Sequence, residues 1–289
     1  MSGASRTVFI TGAASGLGAC TARHLADRGF SVLAADIAVD ALNRVAEHRG
    51  ITAVPVDVTS ATSVEAARQR VSELCDGLDG VVNFAGVLTI GSLIEIDEAT
   101  LERTIQINVL GTYRINKALF PLVHARKGRI VDVSSEQGWQ TPMPFVGAYT
   151  LTKYAIEAYT DSLRRELMFL DVPVIKIQPG PFKTSMVAGI EERFTRLASE
   201  SRYFGDLLTQ LKHLTIKEQA KAHDPEILAA VIHRALTVHR PRPVYSVRPD
   251  LGRTLLSTLP PRVADPLLRV ALGILSRLPP ALGGPPRRA

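Results

Sequence analysis

"RTVFITGAASGLGACTARHLADRGFSVLAAD", Arg6 to Asp36, is the stretch that decides the fold. A short β-branched run (6–11) stops at Gly12, and a helical pattern runs from Gly16 to a glycine stop at Gly29. A second apolar run (30–36) ends on Asp36. Near-continuous apolar strands separated by a helix need cover on both faces, which is the signature of a parallel sheet. Gly12, Gly16 and Gly18 let the backbone turn tightly and come close to a pyrophosphate. The helix that follows offers free N–H groups and partial positive charge to phosphates. The spacing G-x-x-x-G-x-G is not the common G-x-G-x-x-G, but it stands in the strand–turn–helix context such a motif requires. Asp36 follows Gly18 by 18 residues and can accept hydrogen bonds from ribose hydroxyls while repelling a 2′-phosphate. That favours NAD over NADP.

Outward from this unit the alternation continues. Helices are expected over 38–50, 60–75, 98–126 and 147–170, and strands over 51–58, 78–86, 128–135 and 172–180. Pro55 marks the strand 51–58 as lying near an edge. The expected fold is α/β: a single doubly wound, Rossmann-type parallel sheet with helices on both faces and a C-terminal helical extension. Residues 1–250 form the cofactor-binding and catalytic domain, 188–224 a mobile-looking insert, 240–250 a last edge strand and 251–289 an apolar-basic extension. In such a sheet, ligands bind beyond the carboxyl ends of the strands.

Bulk properties narrow the function. The 289 residues, 46% hydrophobic, suit one large domain. The first ten residues lack a signal-peptide core, and no stretch approaches a spanning helix. Two isolated cysteines, Cys20 and Cys75, suggest neither disulfides nor a metal cluster, which points to a reducing, cytoplasmic setting and no metal. Of the net charge of +6, residues 240–289 carry +7, from nine Arg against two Asp. A basic tail can meet nucleic acid, anionic lipid or an acidic partner. No nucleic-acid motif accompanies the charge, so nucleic acid is not expected.

The chemistry sits in "GAYTLTKYAIEAYTDSLRREL" (147–167). Tyr149 and Lys153, at i and i+4, share one helix face. An ammonium there favours the phenolate and lowers the phenol's pKa toward neutrality, which suits a general acid or base acting on an alcohol oxygen. Ser134 and Ser135 end the strand 128–135, where a hydroxyl can bind the substrate oxygen. Asn108 lies mid-helix, a poor place for Asn unless it serves a local hydrogen bond or a water.

Together these motifs resemble the short-chain dehydrogenase/reductase family over about residues 5–250. They read TGAASGLG, Asp57-Val58, NFAG, Asn108, Ser-x13-Tyr-x3-Lys and PGPFKT. The resemblance implies Tyr149 as acid/base, and Lys153 as pKa depressor and anchor of the nicotinamide ribose. It implies Ser135 as the positioner of the substrate oxygen and Asn108 as holder of a water that relays protons to Lys153. Asp57 and Val58 would contact adenine, Gly180 would lie beside the nicotinamide, and Thr184 would bind its carboxamide. It extends the cofactor site to Ser15, Leu17, Ile37, Asn83, Ala85, Gly86, Pro179 and Phe182. Ser135 is preferred to Ser134 because the family serine stands three residues before a glycine, here Gly138. The sequence departs from the pattern in one extra residue between Ser135 and Tyr149, and in Phe84, where the family has an Asn that braces the central strand.

Residues 157–186 are similar to the retinol and hydroxysteroid dehydrogenase branch. Trp139, Met143, Phe145, Met186 and Val187, with Leu88 and Ile90 opposite, give an apolar pocket suited to a lipophilic alcohol or ketone. The family's substrate lid corresponds to 188–224, where His213 and His223 read as surface residues. Two short helices flank Pro260-Pro261. They can cover the pocket or a subunit contact, lie peripherally on a membrane, or pack as a plain appendage. The resemblance suggests homodimers or homotetramers through 98–126 and 149–170. An NAD(H)-dependent dehydrogenase of a lipophilic alcohol leads. An NADPH-dependent ketone or 3-oxoacyl reductase, disfavoured by Asp36, and a catalytically silent nucleotide sensor are the alternatives.

Overall fold

In the computed structural model, which describes residues 6–184, 189–219 and 222–272, seven parallel strands form one sheet. They are β1 (Thr7–Thr11), β2 (Ser31–Asp36), β3 (Ile51–Pro55), β4 (Gly80–Asn83), β5 (Arg129–Val133), β6 (Val174–Pro179) and β7 (Val244–Val247). Their order is β3-β2-β1-β4-β5-β6-β7. The chain moves outward from β1 to one edge, returns, and builds β4 to β7 on the other side. The topological switch therefore lies between β1 and β4, where Thr11 pairs with Asn83.

Alternation along the strands divides the core in two. Val8, Ile10, Val32, Ala34, Val82, Val131 and Ile175 face α1 (Gly16–Ala26), α2 (Val39–Ala46) and α9 (Pro225–Thr237). Phe9, Leu33, Val54, Val81, Ile130 and Val174 face α3 (Ala61–Leu74), α5 (Thr112–Ala125) and α6 (Gly147–Leu167). Both faces are covered, as near-continuous apolar strands require.

The elements differ from expectation where side chains redirect the backbone. The strand expected over 51–58 ends at Pro55, because Asp57 turns the chain by accepting hydrogen bonds from the Thr59 N–H (2.9 Å) and hydroxyl (2.7 Å). It is an edge strand, as Pro55 suggested. At the other edge, β7 is four residues long, not eleven; Arg248 beyond it has φ +54°. The helix expected over 98–126 is three pieces: α4 (Glu98–Ile105), a π-helical turn (Gln106–Gly111) and α5. The insert expected over 188–224 contains two packed helices, α7 (Ile190–Glu200) and α8 (Gly205–Gln219). Helix α9 was not anticipated. Its Leu228, Ile232 and Ala235 are buried against α1 and the sheet. After β7, α10 (Leu251–Leu256) and α11 (Pro261–Ala271) are separated at Pro260-Pro261 as read from sequence. Met186, Val187 and the tail residues from 273 lie outside the described residues.

Candidate active site

Because all seven strands are parallel, their carboxyl ends share one rim, and the sequence motifs meet there. The turn after β1 needs its glycines for identifiable reasons. Gly12 (φ +67°) and Gly16 (φ +55°) occupy the left-handed region. A Cβ on Gly12 would lie 2.8 Å from the Ala85 nitrogen, and one on Gly18 would lie 2.1 Å from the Gly12 carbonyl oxygen. The turn thus packs backbone against backbone and brings the amino end of α1 to the rim. Ser15 is exposed, and Leu17 is half-buried against the core. This bare cradle, with no acidic residue in the first turn of α1, fits a dinucleotide pyrophosphate.

Asp36 ends β2 beside the cradle. One carboxylate oxygen accepts from the Ala14 N–H and the other from the Ala38 N–H, both at 3.0 Å. It holds the turn and the entry to α2, and each oxygen keeps a further lone pair. Ile37 next to it is exposed. Val58 is buried against Gly111, whose Cβ would come within 2.7 Å of it.

Under β4 buried polar side chains form a network. Asn83 donates to Asn116 Oδ1 (2.7 Å) and Asp132 Oδ1 (2.9 Å), so its side chain joins an interior network. Asn116 and Thr160 complete the hydrogen bonding of Asp132. Burial pushes the Asp132 carboxyl up, opposed by those three donors and by the charge of Lys153. At Phe84 the strand end is held by Thr11, whose hydroxyl accepts from the N–H groups of Phe84 and Ala85, both at 3.2 Å. Gly86 stands against Asn108, its Cβ position 3.3 Å from Oδ1.

Asn108 lies in the π-helical turn and clamps the loop after β4. It accepts from the Val87 N–H (2.8 Å) and donates to the Val87 carbonyl (3.0 Å) and the Thr152 hydroxyl (3.0 Å). Thr152 in turn donates to the Tyr149 carbonyl at 2.7 Å. The Asn108 side chain therefore ties the β4 loop to the start of α6, and no direct contact with Lys153 is present among the described residues.

The two serines divide their tasks. Ser134 is buried and donates to the Lys153 carbonyl at 3.5 Å, whereas the Ser135 hydroxyl hydrogen-bonds the Tyr149 phenol. Lys153 is 6% exposed and donates from Nζ to the Val133 carbonyl at 2.9 Å. Its ammonium stands over the Tyr149 ring, 5.5 Å from the centroid. Here the electrostatics correct the sequence expectation. Burial pushes the Tyr149 phenol up to about 12, aided by Glu136 and opposed by Ser135. Burial likewise brings Lys153 down to about 8, against the pull of Asp132 and Glu157. The ammonium faces the ring and a carbonyl, so desolvation outweighs the effect expected from i, i+4 spacing.

At the other end of the rim, Pro179 is buried at the end of β6. A Cβ on Gly180 would lie 2.0 Å from the Arg248 carbonyl oxygen, so that glycine is required by the chain crossing it. The Phe182 ring is 4% exposed in the core, with the His223 ring 5.9 Å away, so His223 is no plain surface residue. Thr184 is half-buried at the end of the described segment.

The apolar wall gathers Ile90, Phe194, Leu208, Leu211 and Leu272, with Leu88, Met143 and Phe145 packed against them. Residues of α7, α8 and α11 complete the wall. Trp139 is half-buried but outside that cluster. Sequence reasoning missed Thr152, Glu136 and Arg253. Thr152 carried a signal, being one turn from Tyr149; Glu136 follows Ser135 directly; Arg253 is distant in sequence and carried none.

A family profile described as short chain dehydrogenase matches residues 6–194. Mouse retinol dehydrogenase 7 is 32% identical over 278 residues, covering 90% of this chain and 87% of that protein. Human 17-beta-hydroxysteroid dehydrogenase type 6 is 34% identical over 283 residues, with the same two coverages, 90% and 87%. Among solved structures, a short-chain dehydrogenase from Streptomyces avermitilis is similar with a TM-score of 0.74 at 22% identity, covering 96% of this chain and 97% of that one.

Proposed function

The chain belongs to the short chain dehydrogenase family, and from that premise we propose that this oxidoreductase interconverts a lipophilic alcohol, retinoid-, steroid- or lipid-like, with its ketone or aldehyde, using NAD(H). The observation that carries the reading is the convergence of Ser135, Tyr149 and Lys153 beside a wall of Ile90, Met143, Phe145 and Phe194. The cofactor supplies the hydride acceptor or donor.

The chain's own residues do the rest. Gly12, Gly16 and the amino end of α1 receive the pyrophosphate, and Asp36 offers its remaining lone pairs to the adenosine ribose. Ser135 Oγ binds the substrate oxygen, and Tyr149 Oη takes its proton or returns it. Lys153 holds positive charge over the Tyr149 ring, anchored on the Val133 carbonyl. Asn108 fixes the Val87 loop relative to Tyr149 through Thr152. Helices α7 and α8 act as the lid that excludes water, and the apolar wall orients the substrate.

The exposed Tyr113, Leu151 and Tyr154 on α5 and α6 support a homo-oligomer through those helices. Exposed Leu251, Leu255, Val263, Leu267 and Val270 on α10 and α11 support peripheral membrane contact. Among the described residues no helix is long and apolar enough to cross a membrane. Free Cys20 and Cys75 fit a cytoplasmic setting.

The test is absorbance at 340 nm with NAD and NADP against retinoids, hydroxysteroids and medium-chain alcohols. Tyr149→Phe should lose about 10²- to 10⁴-fold in turnover while NADH fluorescence titration shows cofactor affinity unchanged. Undiminished turnover in Tyr149→Phe would remove the phenol from the mechanism.

A further inference from the structure

We propose that the segment following β7 is a working part of the active site, in which Arg253 of α10 is a positioning residue that fixes the loop carrying Ser135 and neutralises Glu136 beside Tyr149. The inference rests on the reading of Tyr149 as the acid/base.

Helix α10 is only six residues long, none of them buried, and its Leu251 and Leu255 face outward at 79% and 68% exposure. Little apolar surface of its own holds it to the body, Leu256 alone of its leucines being half-buried. Polar contacts do, and they end on the turn that follows Ser135. Arg253 Nη1 donates to Glu136 Oε1 at 3.0 Å, and the Asp250 N–H donates to Glu136 Oε2 at 2.9 Å. Arg253 Nη2 donates to Gln137 Oε1 (3.0 Å) and to the Thr141 carbonyl (3.2 Å). Gln140 Nε2 reaches back to the Asp250 carbonyl and the Thr254 hydroxyl, and the Thr141 N–H donates to Ser257 Oγ at 2.6 Å. From the opposite side, α6 contributes the Thr150 hydroxyl to Gln137 and the Tyr154 hydroxyl to the Gln140 carbonyl. The stretch 136–141 is thus held between α6 and α10.

Both partners of the Arg253–Glu136 ion pair are largely withdrawn from water, their side chains 14% and 11% exposed. Removing one member of such a pair leaves the other charge uncompensated in a poorly solvated place. The groups brought to this turn are Arg253 and Asp250 from the C-terminal segment, and Tyr149, Lys153, Tyr154 and Glu157 from α6. Glu136 already opposes ionisation of the Tyr149 phenol with Arg253 in place. The guanidinium therefore limits how strongly that carboxylate acts on the phenol.

The test is the pH profile of alcohol oxidation for the full chain and for Arg253→Met, Glu136→Gln and the double variant. A base must lose its proton before it acts, so the rate rises with pH. Arg253→Met should move the rising limb to higher pH by roughly one unit, and Glu136→Gln should move it to lower pH by a similar amount. The double variant should return close to the unsubstituted profile. Arg253→Lys keeps the charge but not the two-pronged donor, so it should lower kcat without moving the limb. Single variants that lose kcat with no opposed movement of the limb would overturn the proposal and leave Arg253 as a tie for the fold alone. Glu136→Gln is close to isosteric and keeps the test open if Arg253→Met fails to fold. A readout independent of turnover is NMR of ¹³Cζ-labelled tyrosine, with Tyr149 assigned by its loss in Tyr149→Phe. Opposed pH displacement of that resonance in the two single variants supports the link even if no alcohol is oxidised, and coincident titrations refute it.

Discussion

Lys153→Met provides a test of the charge balance under the phenol. Burial lowers the folded-state pKa of Lys153 from its ordinary 10.5 to about 8. Between those values the unfolded chain binds the proton and the folded chain does not. Stability attributable to this group is therefore present above the unfolded value and is lost as pH falls through about 8. The full difference is on the order of 3 kcal/mol, at about 1.4 kcal/mol per pH unit. From pH 7 to pH 10 the part of the transition crossed amounts to about 2.5 kcal/mol. The assay is urea unfolding at several pH values for both proteins. The stability of the unsubstituted protein minus that of Lys153→Met should rise by this amount across the window. Taking the difference also cancels the opposing effect of Cys20, whose thiol burial pushes up to about 12. It likewise removes the Tyr149 phenol, which acts above pH 10. A flat difference would mean that the amine titrates as if solvated. A falling one would mean that Asp132 and Glu157 stabilise the ammonium more than burial penalises it, and either result would refute the reasoning.

Three further outcomes are expected. Asn108→Ala strands the N–H and the carbonyl of Val87 and one partner of Thr152; at about 1–3 kcal/mol for each buried group left unsatisfied, thermal unfolding should show a large loss, accompanied by a fall in kcat. Gly18→Ala drives a methyl to 2.1 Å from the Gly12 carbonyl; NADH affinity measured by fluorescence should collapse together with a stability loss of about 1–3 kcal/mol. On the proposed NAD reading, Asp36→Asn removes the charge that would meet the adenosine ribose, so the ratio of NADPH to NADH dissociation constants should fall by roughly tenfold, equivalent to about 1.4 kcal/mol, and an unchanged ratio would show that Asp36 does not set cofactor choice.

Much of the site was legible because its residues act through local spacing. The glycine turn could be read from the chain because a left-handed backbone at Gly12 and Gly16 is a property of those positions. Tyr149 and Lys153 share a helix face because the helix period puts them there. Where the Phe182 and Asn83 side chains turn could not be read, because the direction of a side chain at the end of a strand depends on what packs around it. The core took Phe182, and the Asn116–Asp132 network took Asn83. Asn108 was rightly marked as out of place in a helix, but the π-helical turn and the Val87 clamp that accommodate it are non-local. Helix α9 escaped notice between the expected lid and the last strand although its pattern, "ILAAVIHRAL", is apolar enough to be buried.

By itself the sequence determined the parallel sheet, the alternation of strands and helices through β6, the cradle and the identity of the Ser, Tyr and Lys that meet, since each follows from propensity, period or backbone freedom over a few residues. Only the tertiary structure decided the charge state of that trio and the partners that surround it. Desolvation depends on everything packed around a group, and it set Tyr149 near 12 and Lys153 near 8 against the simple expectation from their spacing. Likewise, a guanidinium 117 residues along the chain from Glu136 comes to lie 3.0 Å from it only when the sheet is complete.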